Sequence, residues 1–122
     1  MNKSYYDGLK TLQNVQRAIK NNYKKRYIIL PPIHTTLYLK ESLTKKDVFF
    51  GSQDCSQYNN GAFTGDISAE MIKKIGCKYV LVGHSERRSL YNENDGVLRE
   101  KIKRAMEQKL KVIFCVGERL SD

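Results

Sequence analysis

Short apolar runs alternate with longer segments of helical periodicity along the chain, and this alternation limits the possible folds more than any other feature. The runs are rich in β-branched and aromatic residues and occupy positions 27–30, 48–50, 79–82 and 112–116. Each is apolar at successive positions, as in parallel strands that are covered on both faces. Turn-forming residues follow each run: Pro31, Gly51, Gly83 and Gly117. The alternation predicts an α/β protein with about four parallel strands and alternating helices.

The segments between these runs have helical spacing and capping residues. Ser4 is suited to cap a first helix, because apolar residues follow it at spacings of three and four up to Ile19. Shorter helices are expected near residues 36–43 and 68–75. The strongest pattern covers residues 95–108, with Asn94 or Asp95 as the cap and an apolar stripe that packs onto the sheet. The predicted strand starts at 27, 48, 79 and 112 leave room for βαβ crossovers.

Composition limits the class of protein further. The 122 residues suit one domain, and 40% are apolar. The longest apolar runs are far shorter than the roughly twenty residues that a membrane span needs. The first residues lack the apolar core of a signal peptide, so a cytoplasmic protein without a membrane partner is expected.

The chain is basic, with 22 Lys and Arg against 13 Asp and Glu and a formal net charge of +9. Basic pairs such as Lys45-Lys46 and Lys73-Lys74 are interrupted by acidic or apolar residues, and they form no long block or known binding module. A dispersed, solvated surface is therefore expected, with weak phosphate affinity but no dedicated nucleic-acid binding.

Three cysteines, Cys55, Cys77 and Cys115, lie far apart in the sequence and form no C-x-x-C pair. They are interpreted as free, buried thiols. A metal site with His34 or His84 lacks the usual ligand spacing, so no metal is expected.

A long polar loop, residues 53–66, follows the second predicted strand, where α/β proteins commonly build binding sites. Phe63 is its one large, wholly apolar side chain. Two interpretations remain open: Phe63 folds back onto its own domain, or it docks into another subunit.

The densest polar cluster, Gly-His-Ser-Glu-Arg-Arg at residues 83–88, follows the third predicted strand. Gly83 permits a sharp turn, and if a short helix begins at Ser85, its free N–H groups point at the imidazole of His84. A neutral histidine can donate a hydrogen bond to a substrate carbonyl or oxyanion. His84 is a candidate catalytic residue, although a structural histidine at a strand end has the same sequence pattern. Arg87 and Arg88 are expected to form local ion pairs.

This cluster, together with residues 60–68, Met71-Ile72 and the later Val116-Gly117-Glu118, resembles the triosephosphate isomerase family across essentially the whole chain. The resemblance implies a (β/α)8 barrel, of which residues 1–122 would be a single incomplete domain. It implies a triose phosphate substrate, interconversion of dihydroxyacetone phosphate and glyceraldehyde 3-phosphate, a homodimer, and no cofactor.

The resemblance also assigns residue roles. His84 matches the histidine that polarises the substrate carbonyl, a pattern for which this family is the standard example. Its active-site neighbours would be Ser85, Glu86 and Cys115, with Glu86 matching the partner of a catalytic lysine and Cys115 matching a buried cysteine near the catalytic base. Asn60, Gly61, Phe63 and Thr64 match the loop that interlocks two subunits.

Other parts of the family pattern have no counterpart. Met1-Asn2 match the residues that follow the family's phosphate-binding lysine, and Asp122 falls just past its fifth strand. No carboxylate of the chain matches the family's general base. The isolated chain is therefore expected to be inactive, with two origins left open: half of an enzyme completed by a second polypeptide, or a truncated remnant. The alternative function is a non-catalytic, basic α/β binding module.

Overall fold

The computed structural model describes residues 4–19 and 25–117, which form a four-stranded parallel sheet with intervening helices. The strands are β1 Tyr27–Ile29, β2 Val48–Ser52, β3 Tyr79–Val82 and β4 Lys111–Phe114. The helices are α1 Tyr5–Ala18, α2 Ile33–Glu41, α3 Ala69–Ile75, α4 Ser85–Leu90 and α5 Asp95–Glu107. Neighbouring strands follow chain order, β1-β2-β3-β4, and all pairs are parallel. This order confirms the predicted partial (β/α)8 barrel, since a doubly wound sheet reverses its strand order.

The predicted caps of α1 and α5 are confirmed, and Ser68 caps α3 in the same way. Ser4 Oγ accepts the Asp7 amide N–H at 3.3 Å, and the Ser4 amide N–H donates to Asp7 Oδ2 at 3.1 Å. Asn94 Oδ1 accepts the amide N–H of Val97 at 3.1 Å, and Ser68 Oγ does the same for Met71 at 3.2 Å. Such caps satisfy amide groups that have no partner within the helix.

The bounds of α2 differ from the prediction of residues 36–43. The helix begins at Ile33, because Pro32 occupies the cap position and its carbonyl already accepts the Thr35 amide N–H at 2.9 Å. Proline at a helix start sacrifices no hydrogen bond, since its missing N–H would have no partner there. The predicted turn residues at Pro31 and Pro32 therefore also initiate the helix.

Two strand ends differ as well. β2 continues through Gly51 to Ser52. A Cβ at Gly51 would lie 2.5 Å from Leu30 Cδ2 and 2.9 Å from Tyr79 Cβ, so close packing between strands requires this glycine. β4 ends at Phe114, before the predicted 116.

Only one face of the sheet is covered by helices among the described residues. Val48 and Phe50 of β2 and Val80 and Val82 of β3 are buried in a core shared with four helices, through Leu12, Leu39, Ile72 and Leu98. The alternate side chains Phe49 and Leu81 are only half-buried, and Ile28 is 36% exposed. The prediction of strands covered on both faces is therefore wrong for this part of the chain, because the four helices that share this core lie on the same side.

The parallel order brings the carboxyl ends of the strands to one edge of the sheet. Leu30, Gln53, His84 and Cys115 follow β1, β2, β3 and β4 at this edge. Within residues 4–19 and 25–117, no helix is long and apolar enough to cross a membrane.

Candidate active site

His84 is positioned by a glycine turn between β3 and α4. Gly83 has φ +79°, a left-handed conformation that side chains rarely adopt. A Cβ there would also lie 2.9 Å from Arg88 Nη2 and 3.1 Å from Phe114 Cε2. The turn makes His84 the cap residue of α4, as expected if a short helix begins at Ser85.

The imidazole of His84 has one nitrogen occupied by the backbone. Nδ1 accepts the Glu86 amide N–H at 3.3 Å. In the neutral ring this contact puts the proton on Nε2, which is then free to donate a hydrogen bond. The side chain is 42% exposed, so the ring is accessible. The Glu86 carboxylate lies 3.8 Å from the same Nδ1 and is 77% exposed.

His84 lines an open cleft of about 1060 Å³ at the carboxyl edge of the sheet. Leu30 after β1, Ser52 of β2 and Leu81 of β3 form part of its wall, and Glu86 and Arg87 of α4 join them. Apolar and charged side chains share this wall, which is typical of small-molecule sites.

Beside His84, four charged side chains form a largely buried network. Lys101 Nζ lies 2.7 Å from Asp54 Oδ1 and 2.6 Å from Glu93 Oε1. Arg87 contacts the same two carboxylates, with Nη2 2.9 Å from Asp54 Oδ2 and Nε 2.8 Å from Glu93 Oε1. Lys101 is 4% exposed and Glu93 8%. The network ties α4, and with it His84, to the end of β2 and to α5.

Burial has the largest effect on the pKa of one member of this network, Asp54. Loss of solvent raises the pKa of Asp54 above its ordinary value, although Lys101 and Arg87 act in the opposite direction. The second carboxylate oxygen of Glu93 is buried and has no hydrogen-bond partner within the described residues. The expected ion pairing of Arg87 is confirmed.

Arg88 acts mainly through backbone carbonyls. Its Nε donates to Gly83 O at 2.7 Å and its Nη2 donates to Cys115 O at 3.1 Å. The guanidinium also lies over the ring of Phe114, 5.5 Å from the centroid. Its one carboxylate contact, with Asp95 at 3.8 Å, is to a side chain that is 95% exposed. Arg88 therefore links the backbone at the ends of β3 and β4 by hydrogen bonds and forms no strong ion pair within the described residues.

The predicted neighbours of His84 are brought together only in part. Ser85 is exposed at the first turn of α4, and Glu86 lines the cleft. Cys115 follows β4 and its amide N–H donates to Val82 O at 2.9 Å, but it is not among the cleft residues. Its side chain is half-buried, whereas the resemblance implied a buried cysteine, because it lies beyond the end of the outermost described strand.

The other two thiols are buried as expected. Burial raises the pKa of Cys55 to about 12, and it also raises the pKa of Cys77. All three thiols are free, and the described residues contain no group of side chains suited to hold a metal ion.

The loop of residues 53–66 lines the cleft at both of its ends, and its middle part, residues 58–64, is exposed. Phe63 stacks on Tyr58 with ring centroids 4.1 Å apart and an angle of 2°, yet the two side chains remain 41% and 44% exposed. Asn60 Oδ1 accepts a hydrogen bond from Ser68 Oγ at 2.8 Å, and its amide donates to Glu70. Gly61 and Thr64 are exposed. Phe63 thus folds onto its own loop without becoming buried.

Sequence reasoning missed Glu93 and Lys101 as members of the site. One signal was present: Lys101 lies four residues from both Val97 and Ala105 on the inner stripe of α5. A lysine in such a stripe needs a buried partner. Met1, Asn2 and Glu118, which entered the comparison of motifs, lie outside the described residues.

Known proteins match this chain along its whole length. Residues 1–122 match the family model for triosephosphate isomerase. A triosephosphate isomerase of Alkaliphilus metalliredigens (strain QYMF) is 38% identical over 122 residues, which is 100% of this chain and 49% of the relative. One of Mycobacterium avium (strain 104) is 38% identical over 125 residues, covering 98% of this chain and 48% of the relative. One of Hahella chejuensis (strain KCTC 2396) is 43% identical over 95 residues, covering 78% of this chain and 38% of the relative.

The chain spans about half the length of the curated relatives that it matches. The family match agrees with the parallel sheet and its strand order. This protein belongs to the triosephosphate isomerase family.

Proposed function

We propose that this chain supplies the histidine of a triosephosphate isomerase active site, which interconverts dihydroxyacetone phosphate and glyceraldehyde 3-phosphate in glycolysis and gluconeogenesis. One observation carries the proposal. His84 faces an open cleft at the carboxyl edge of the sheet, with Nδ1 occupied by the Glu86 amide and Nε2 left as a donor. Membership of the family supplies the reaction and the substrate.

The chemistry needs a donor of this kind. A base removes a proton from the carbon next to the substrate carbonyl, and the carbonyl oxygen becomes the oxyanion of an enediolate. The Nε2–H of His84 would stabilise this oxygen and carry a proton between the two substrate oxygens. Because the reaction only moves protons, the proposal requires no cofactor.

Of the carboxylates that line the cleft, Asp54 and Asp66 are engaged by other side chains, and Glu86 is largely exposed. Asp54 is paired with Lys101 and Arg87, and Asp66 accepts a hydrogen bond from Ser56 Oγ at 2.5 Å. Glu86 extends into solvent. We therefore assign proton abstraction and phosphate neutralisation to residues outside the described part of the chain or on a second polypeptide that completes the barrel.

A chimeric enzyme tests the role of His84. This chain replaces the matching half of the Alkaliphilus metalliredigens relative, and isomerase activity is measured with His84→Gln and with a matched control, His34→Gln. His34 is exposed on α2 and does not line the cleft, although the preceding residue Ile33 does. Loss of one acid–base group costs about 10²–10⁴ in rate, so His84→Gln should lose at least about a hundredfold in kcat while the control stays near the parent chimera. Equal activity of the two variants in folded chimeras would remove His84 from the mechanism.

We further propose that residues 60–64 dock against a second subunit, as the family resemblance implies. The Tyr58–Phe63 stack and the anchoring of Asn60 support a loop that is formed before docking. Sedimentation should show that Phe63→Ser weakens self-association of the chimera relative to Tyr6→Ser, an exposed residue of α1. The same mass for both variants would count against this interface.

The free thiols support a reducing compartment, and we propose the cytoplasm.

A further inference from the structure

A group of exposed basic residues lies at the edge of the sheet opposite His84, and other basic residues, such as Lys10 and Arg99, are exposed elsewhere. Exposed basic residues precede the strands at their amino ends: Arg26 before β1, Lys46 before β2, Lys78 before β3 and Lys111 at the start of β4. The sequence predicted a dispersed surface because these residues are far apart along the chain. Parallel pairing brings them to one edge, which we call the basic edge.

Backbone hydrogen bonds fix the positions along this edge. The Tyr27 amide donates to Asp47 O at 2.9 Å, which places Arg26 next to the segment of Lys46. The Lys111 amide donates to Lys78 O at 2.9 Å, which makes these two lysines neighbours. Between the two pairs the sheet is staggered. The first residue of β3, Tyr79, pairs with Gly51, which lies three residues after the start of β2 at Val48.

Lysines from the helix ends fill the remaining gaps. Lys40 Nζ donates to Ile75 O at 3.2 Å, which places this ammonium at the end of α3, beside the turn before β3. Lys73 Nζ donates to Lys109 O at 3.3 Å, in the turn before β4. The result is a row of cations from β1 to β4 in which carboxylates are fewer: Asp47 lies beside Lys46, and Glu41 and Glu107 end α2 and α5.

The helix dipole explains only part of this row. Lys40 and Lys73 lie in last turns of helices, where cations offset the partial negative charge of the carbonyls. Arg26, Lys46 and Lys78 lie outside helices, and their charged groups form no ion pair within the described residues. Fold stability gives no reason for their positions.

We propose that the basic edge binds the phosphate backbone of a single-stranded nucleic acid, without sequence preference. Three strand spacings of about 4.8 Å across the sheet and a stagger of three residues, about 10 Å along it, give the row a length of about 18 Å. At about 3.4 Å per nucleotide this length covers roughly five phosphates. A linear polyanion fits a row of cations better than a small metabolite does.

Two other polyanionic partners fit less well. An anionic membrane would need apolar side chains to insert, and none that is large and exposed lies in the described turns that precede the strands. An acidic protein carries carboxylates on a folded surface of fixed shape, whereas a nucleic-acid strand has evenly spaced phosphates and can follow the stagger.

The test is fluorescence anisotropy with a labelled single-stranded oligothymidylate of 15 nucleotides and the 122-residue chain. About four phosphate contacts predict a slope of about −2.8 for log K against log salt, or an affinity loss of about 50-fold between 50 and 200 mM salt. Lys46→Gln/Lys78→Gln should reduce the slope by about 1.4 and weaken binding at 50 mM salt about tenfold. Lys10→Gln/Arg99→Gln removes the same charge from exposed helix positions and should bind within about twofold of the parent.

Equal weakening by the two double variants, each shown by circular dichroism to be folded, would overturn the proposal. So would tighter binding to polyglutamate of matched charge, or to phosphatidylserine vesicles, than to the oligonucleotide. A slope that is unchanged in Lys46→Gln/Lys78→Gln would likewise place any nucleic-acid contact elsewhere.

Discussion

Lys101→Met is the substitution that tests the charged network beside His84 most severely. It keeps much of the side-chain volume and removes the ammonium that Asp54 and Glu93 share. The two carboxylates would then depend on Arg87 alone in a largely buried setting.

The expected magnitude follows from the distances. At about 2.7 Å and an effective dielectric constant of about 20, each ion pair of Lys101 is worth roughly 6 kcal/mol of direct attraction. The desolvation cost of the ammonium, several kcal/mol, disappears with it and offsets part of this loss. A net destabilisation of about 3–5 kcal/mol is expected, which is a large part of the 5–15 kcal/mol typical of a domain.

Urea denaturation followed by circular dichroism measures this loss, with Lys103→Met as the matched control. Lys103 is exposed on the same helix two residues away, so its replacement should change the free energy of unfolding by no more than about 0.5 kcal/mol. The loss in Lys101→Met should be smaller near pH 5 than near pH 8. Burial raises the pKa of Asp54, and without Lys101 its protonation removes more of the buried charge. A difference of less than about 1 kcal/mol between the two variants at pH 8 would refute the reasoning.

Two further predictions concern the turn at the site and the thiols. Gly83→Ala should lower the free energy of unfolding in urea by about 1–3 kcal/mol, because φ is +79° and the new Cβ would meet Arg88. A disulfide reagent near pH 8 should label Cys115 first and Cys55 only as the chain unfolds, since Cys55 is buried and its pKa is raised to about 12. This value exceeds the ordinary 9.0, so the unfolded chain loses the proton first, and the stability that Cys55 contributes should decline between about pH 9 and 12.

The Gly83→Ala prediction and the thiol prediction each have a control variant. Gly96→Ala lies within a helix and has no positive φ, but its Cβ would lie 3.2 Å from Asn94 Oδ1, so helix propensity and this contact oppose each other and the change should stay below about 1 kcal/mol. A cost equal to that of Gly83→Ala would mean that backbone conformation is not the cause. Labelling of Cys55 at the same rate as Cys115 in the native protein would contradict the buried position of Cys55. In Cys55→Ala the decline above pH 9 should be smaller.

Local features of the fold were predictable because their causes lie within one turn of chain. Ser4 and Asn94 cap their helices with amide groups three residues away, and the apolar runs locate all four strands within a few residues. Gly51 was wrongly predicted to end its strand, because its role depends on contacts with Leu30 and Tyr79, which only the folded sheet brings near.

In the site, too, the features that depend on local contacts were predictable and those that depend on distant contacts were not. His84 was identified because its glycine turn and its Glu86 contact are local. The network was missed, because Asp54 and Lys101 are 47 residues apart and meet only when β2 and α5 pack. The basic edge was likewise hidden, since parallel pairing alone makes Lys78 and Lys111 neighbours.

The central claim is that His84 presents a protonated Nε2 to the cleft while Nδ1 accepts the Glu86 amide. Long-range ¹H–¹⁵N NMR of the chain at about pH 8, above the ordinary histidine range, reports the tautomer of each ring directly. The account predicts the Nε2–H tautomer for His84, with the signal assigned by its loss in His84→Gln. A proton found on Nδ1 would contradict the account, because that nitrogen could no longer accept the backbone hydrogen bond.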